Sequence, residues 1–190
     1  MELVAPARKP TGGAWNAPAK FFHWLIAALI LLQVPLGWTA VGWPLSPLKL
    51  NLFVWHKSIG IMILALVAAR IAWRLARSAP DLPADTPVWE RRAAHASHFL
   101  LYAAMLGMPL TGWVISSASG IPFRIFWWIP LPDIVAADKH VAELAASAHF
   151  WLFELLAILL VIHVGAALRH HFVKRNDVLL RMLPRIGKSV

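Results

Sequence analysis

The 190-residue chain contains no cysteine. That absence excludes structural disulfides, thiolate-held iron–sulfur clusters and covalent haem attachment through a Cys-x-x-Cys-His motif. Charge is also scarce: 14% of residues are charged, with nine acidic against eighteen basic side chains. Soluble domains are normally about 25% charged, so a water-soluble globule is excluded. Within the apolar runs only Glu154 is acidic, which leaves few hard oxygen ligands for a metal-transport pathway. The net charge of +9 does not read as a nucleic-acid surface either, because the basic residues flank apolar runs and form no single patch. There is no internal repeat, no low-complexity tract and no inserted soluble domain.

What remains is apolar, with 59% of residues hydrophobic. A bilayer core about 30 Å thick needs roughly 20 apolar residues per helix, and four runs qualify: Phe21 to Gly42, Phe53 to Leu75, His95 to Ser117 and Leu144 to Leu168. Backbone groups in lipid must be satisfied within each segment, so each run is expected to be a helix. The expected fold is an all-α membrane protein, a four-transmembrane-helix bundle in one membrane-embedded domain over residues 1–190. The first run exceeds a signal-peptide core and has no small-residue cleavage site near Trp38 to Pro44, so it reads as a retained span. Pro35 and Pro109 are expected to kink the first and third helices.

Of the 18 Lys and Arg residues, all but Lys49, Lys57, Arg124 and Lys139 fall on the side of the two termini. The positive-inside rule then places both termini in the cytoplasm. Tryptophans such as Trp15, Trp38, Trp43, Trp55, Trp89, Trp113, Trp127 and Trp128 cluster near span ends, as an aromatic belt does. Residues Ser78 to Glu90, with Pro80, Pro83 and Pro87, read as a short extended cytoplasmic connection. The outer connection, Ser119 to Glu143, is expected to lie along the membrane surface as a lid or docking face. The basic tail from Arg169 to Val190 reads as an interface-hugging segment.

Histidine carries the chemistry. His149 and His163 are fourteen residues apart in the last run, so a helix brings both rings to nearly one face, about 21 Å apart along its axis. Span order then sets His23 at the depth of His163, and His56 at the depth of His149. Such pairs from different helices match two stacked six-coordinate haems. They also match histidines resting at the headgroup interface, and before any family argument the two readings stand level. His95 and His98 open the third run and are expected either to support the His23 site or to replace His23. His140, His170 and His171 read as interfacial.

Other side chains fit both readings. Gly60 lies one turn deeper than His56, and Ala27 one turn deeper than His23, where small residues let a flat group, or simply a neighbouring helix, approach. Arg70 and Arg74 sit where haem carboxylates need countercharges, or where they snorkel to lipid phosphate. Glu154, about 140° around the helix from His149, is either a proton carrier or the partner of Lys57. Pairing with Lys57 is the favoured expectation.

Taken in order, several motifs resemble the bacterial cytochrome b561 family of the inner membrane. They are Phe22-His23-Trp24, His56-Lys57-Ser58-Ile59-Gly60, His95-Ala96-Ser97-His98 with Tyr102, Pro109-Leu110-Thr111-Gly112-Trp113, Ser116 to Gly120, and His149 with His163 before His170-His171-Phe172. The resemblance covers nearly the whole chain. It implies two non-covalent b haems with His23, His56, His149 and His163 as axial ligands to iron, and electron transfer involving ubiquinone. Some members of the family pass electrons from superoxide to the quinone pool. Here four basic residues face Asp133, Asp138 and Glu143 outside the membrane, which is no strong field for steering an anion. The leading expectation is therefore a di-haem oxidoreductase that carries electrons from a periplasmic-side donor, superoxide or a redox partner, to ubiquinone. A haem-bearing anchor that wires a partner dehydrogenase or hydrogenase to the quinone pool is the alternative, and a histidine-lined metal transporter the third reading.

Overall fold

The structure, a computed structural model, describes residues 13–77, 80, 83 and 86–184. Asp81 and Asp85 of the proline-rich connection, Arg8 and Lys9 before the first helix, and Arg185 and Lys188 of the tail lie outside the described residues.

Four long helices carry the chain: α1 Ala17–Gly42, α2 Pro47–Ala76, α3 Val88–Ala118 and α4 Lys139–Phe172. All four are long and apolar enough to cross a membrane. Each outruns its apolar stretch, and α1, α2 and α4 begin at a side-chain cap. Asn16 accepts from Ala19 N at 3.0 Å, Ser46 from Lys49 N at 3.3 Å and Asp138 from Val141 N at 3.0 Å, each satisfying an otherwise orphaned donor. Prolines in the first turns of α1 and α2 cost no hydrogen bond there. At 26 to 34 residues, these helices run about 39–51 Å, so their ends project beyond the hydrocarbon layer.

The helices pack as two pairs, α1 on α2 and α3 on α4, joined by contact between α2 and α3; α4 stands off α1 and α2. The buried core is a thin seam of Ile26 and Ile30, Ile59, Ile63 and Val67, Leu101 and Ala104, and Leu156 and Leu159. Residues three or four apart supply one face of each helix. Outside the seam, Leu31, Phe150, Trp151 and Val161 are exposed, a surface that lipid covers and water would not tolerate.

Two features add to the four long helices. The connection between α3 and α4 folds into a small hairpin, β1 Phe123–Ile125 and β2 Ile129–Leu131, in the register Phe123 to Leu131 and Ile125 to Ile129. Its tip places Phe126 and Trp127 at φ of 46° and 67°, a conformation costly for aromatic residues. It is latched down on α2: Phe126 N donates to Ser58 Oγ at 2.8 Å, and Trp55 packs edge-on against both Phe126 and Trp127.

The tail, over its described residues, folds back onto the bundle. After α5 Val178–Met182, Trp24 Nε1 donates to Met182 O at 3.0 Å and Lys20 Nζ to Leu183 O at 2.8 Å. The start of α3 is tied to the end of α4 by Glu90, which is buried and engages Arg169 and Lys174.

Candidate functional site: two tiers of histidine

The histidines gather in two tiers between the helix pairs, one at the hairpin end of the bundle and one at the opposite end, called the terminal end because the described residues begin and finish there. At the hairpin end, the rings of His56 on α2 and His149 on α4 face each other with centroids 6.4 Å apart. At the terminal end, His23 on α1 and His163 on α4 are 6.2 Å apart, and His98 on α3 lies 5.5 Å from His163. All five side chains are partly buried. The backbone of α4 stands off α1 and α2, so the rings bridge a gap that main-chain packing leaves open.

The spacing has a chemical meaning. A ring nitrogen about 2 Å from a metal on each side, plus about 1 Å from nitrogen to ring centre, puts two opposed imidazoles about 6 Å apart. Both cross-bundle pairs meet that distance. Among the described residues no three His, Asp or Glu side chains form a bare metal site. Two imidazoles per metal therefore suit a planar group that supplies the remaining ligands itself, and the metal-transport reading has no site among these residues.

Glycines seat the hairpin-end rings. A Cβ on Gly37 would sit 3.0 Å from His56 Cε1, and one on Gly112 would sit 3.4 Å from His149 Cε1. Gly60, expected to open space here, instead lies against Gln33, whose Nε2 would be 3.4 Å from its Cβ. Gln33 Nε2 donates to the carbonyl of His56 at 2.8 Å. Its Oε1 and the Nδ1 of His56 are buried with no hydrogen-bond partner among the described residues, so this wall of the tier is polar.

Thr111 orients His149. Its Oγ1 is 2.9 Å from the carbonyls of Gly107 and Met108 and 2.9 Å from His149 Nδ1. The hydroxyl has one proton, which the carbonyls take, so towards the ring its oxygen accepts. His149 then carries hydrogen on Nδ1 and leaves Nε2 free as a lone-pair donor, the arrangement found around metal-binding imidazoles.

The remaining expected residues divide. Arg70 Nε donates to the Tyr102 hydroxyl at 2.9 Å, and the Arg74 guanidinium lies over the Trp15 and Tyr102 rings, both at the terminal end. His95 is exposed and makes no ring contact with the tier among the described residues. His140 is exposed in the first turn of α4, His171 meets Phe172 edge-on, and His170 Nδ1 is 2.8 Å from Asn176 Nδ2.

The expected Glu154–Lys57 pair does not form. Lys57 Nζ instead donates to Ser116 Oγ at 2.7 Å and lies over the Phe123 ring, while Glu154 has no ion-pair partner among the described residues. Lys57 turns towards α3, whereas Glu154 lies far around α4 from His149, so similar depth does not bring them together. Sequence reasoning misses Gly37, Gly112, Gln33 and Thr111. The polar Gln33 in an apolar run, and a threonine beside a glycine at one histidine's depth, are the signals that could have found them.

Comparison with known proteins covers almost the whole chain. The family model described as prokaryotic cytochrome b561 matches residues 14–185. Cytochrome b561 homolog 2 of Escherichia coli K12 is 36% identical over 187 residues, covering 92% of this chain and 95% of that protein. Cytochrome b561 homolog 1 of the same organism is 28% identical over 169 residues, covering 87% and 94%. The probable superoxide oxidase CybB of Yersinia pestis is 28% identical over 167 residues, covering 86% and 92%.

Proposed function

From the premise that this chain belongs to the prokaryotic cytochrome b561 family, a multi-pass electron-transfer protein of the bacterial inner membrane that binds b-type haem, we propose a specific di-haem route. One haem b is held non-covalently between His56 and His149, the other between His23 and His163. Electrons pass from a one-electron donor on the hairpin side to ubiquinone, with both termini cytoplasmic and the hairpin periplasmic. The observation that carries this reading is the pair of ring separations, 6.4 and 6.2 Å, in two tiers served by one helix.

When bound, each haem supplies a one-electron iron couple. The chain's own residues do the rest. The fourteen-residue gap on α4 holds the two ligands about 21 Å apart along the axis. Thr111 keeps the proton of His149 on Nδ1, and Gly37 and Gly112 let the hairpin-end rings sit close to α1 and α3. Arg70 and Arg74 supply countercharge for haem carboxylates at the terminal end, and His98 supports His163. Exposed His95 and Gln33-facing Gly60 are given no direct contact. The aliphatic seam between the tiers excludes water and lowers the local dielectric, which tunes potential.

Superoxide is one donor consistent with a relative named a probable superoxide oxidase. Each basic side chain at the hairpin end is already engaged: Lys49 with the carbonyls of Val41 and Trp43, Lys57 with Ser116, Arg124 with the carbonyl of Trp128, and Lys139 with Glu143. A periplasmic redox partner is therefore retained as the second donor class. Reduced-minus-oxidised spectra with haem quantification test the core of the proposal: two b haems per chain are expected, and none would end it. Two imidazoles per iron also predict low-spin spectra unchanged by carbon monoxide. Ubiquinone reduction by the purified protein with superoxide separates the donors: turnover supports superoxide, and its absence with a co-purifying periplasmic subunit supports the partner.

A further inference from the structure

Arg70 and Arg74, four apart, share one face of α2, and Arg77 follows at its extended C-cap. They line a cleft of about 90 Å³ at the terminal end, together with Trp15, Asn16, Trp73 and Tyr102. About 10–15 Å³ of such space holds one water, so the cleft has room for a small polar group.

The arginines are positioned rather than loose. Arg70 Nε donates to Tyr102. The Arg74 guanidinium carbon is 5.7 Å from the Trp15 ring centre and 5.9 Å from that of Tyr102, and the Arg77 carbon is 5.6 Å from the Trp73 ring centre. Trp73 in turn donates its Nε1–H to Asn16 Oδ1 at 3.1 Å, the atom that also caps α1. Aromatic rings thus cover guanidinium faces and leave the in-plane N–H edges as the free donors. Among the described residues none of the three has a carboxylate partner.

Three guanidinium groups within two helical turns repel one another unless an anion lies between them. Their planar forks match phosphate oxygens in bidentate fashion. The cleft sits at the end of α2 beside two tryptophans, where a membrane's headgroups lie, and exposed Leu75 and Phe21 provide apolar surface for acyl chains close by. We propose that Arg74 and Arg77, backed by Arg70, bind the phosphate of an acidic phospholipid headgroup in this cleft. The site shares Arg70 and Arg74 with the countercharge role given to them in the haem reading, and Arg77 belongs to the lipid site alone, so Arg77→Gln tests it without touching that role.

Native mass spectrometry of the delipidated, detergent-purified protein tests it, with phosphatidylglycerol, phosphatidylcholine and inorganic phosphate as probes. Phosphatidylglycerol is expected to bind about tenfold more tightly than phosphatidylcholine, and Arg74→Gln/Arg77→Gln is expected to abolish that preference. Equal binding of the two lipids by the unaltered chain, or an intact preference in the double variant, would overturn the proposal. Displacement of phosphatidylglycerol by millimolar inorganic phosphate would make this a free-phosphate site and overturn the lipid assignment. If the double variant fails to fold, Arg77→Gln and Arg74→Lys, read singly, are each expected to lose part of the preference; full retention in both would overturn it.

Discussion

At the hairpin end, two histidines meet on glycine seats, one of them oriented by a threonine, beneath a latched hairpin. At the terminal end, three histidines converge, no described glycine seats any of them, and an arginine-lined cleft lies nearby. The first tier is specified by close fit, where each ring has one place to be. The second is specified by abundance, with a spare ring within reach of His163. One helix, α4, supplies a ring to each, so the contrast comes from α1, α2 and α3 rather than from the shared strut.

The largest effects are expected from removing the rings. His56→Ala and His149→Ala should each lower haem from two to one per chain, with loss of the same spectral component, and His163→Ala should remove the other. His23→Ala should retain part of the terminal-end haem because His98 can take the vacated side, and His23→Ala/His98→Ala should lose it fully. Pyridine haemochrome quantification with potentiometric titration reads all five. A His23→Ala variant as empty as His163→Ala would show that the third ring is no reserve and would break the contrast.

The glycines come next. Gly37→Ala forces a methyl to 3.0 Å from His56, and overpacking of that kind costs about 1–3 kcal/mol. Hairpin-end haem occupancy should fall while the terminal-end haem is unchanged. Gly112→Ala, at 3.4 Å, should do the same more weakly. Gly165, on α4 close to His163, has nothing within 4 Å of the place a methyl group would take, so Gly165→Ala should stabilise the chain by about 0.5–1 kcal/mol through helix propensity alone. Thermal melts followed at the haem bands would sort the three.

The contrast between tiers also explains what can be read from the sequence. Span number and histidine depth are one-dimensional properties, so hydropathy and position along each run are enough to bring His23 to His163 and His56 to His149. Which neighbours touch those rings depends on helix rotation. That is why sequence spacing points to Gly60, one turn from His56, while Gly37, which belongs to another helix, makes the contact. It is also why Lys57 and Glu154 match by depth although the side chains diverge. Charges at Glu90, Arg91 and Arg92 end the apolar run of α3 early, yet charged residues continue a helix readily once it leaves the hydrocarbon. Three-residue strands broken by Pro130 carry too little alternation to announce a hairpin.

Thr111 offers a finer test of the fitted tier. Thr111→Val keeps the shape and removes one acceptor for the His149 ring N–H, leaving the Met108 carbonyl as the other. Losing the group that orients a ligating imidazole typically costs about 10–100-fold in metal affinity. A less polarised imidazole is the weaker donor and favours ferric iron less, so the hairpin-end midpoint potential should rise. A tenfold difference between oxidation states is about 59 mV for one electron. Thr111→Ser should restore the original value, and the terminal-end potential should stay fixed in both. A shift shared equally by both haems would mean that Thr111 acts on the bundle as a whole.

The smallest expected effect separates the lid from the tier beneath it. Ser58 is fully buried, and its Oγ accepts from Phe126 N; a neutral hydrogen bond of this type contributes about 0.5–1.5 kcal/mol. Ser58→Ala should therefore loosen the hairpin without emptying the site, because His56 and His149 keep their glycine seats and Thr111 keeps its contact. Hydrogen exchange over Phe123 to Leu131 should speed up by about two- to tenfold, as that loss of free energy dictates. Haem content should remain at two per chain. Reduction by a small external donor should be faster if the hairpin limits access, and unchanged if electrons enter through the hairpin from a docked protein, so one conservative substitution distinguishes a cover from a docking platform.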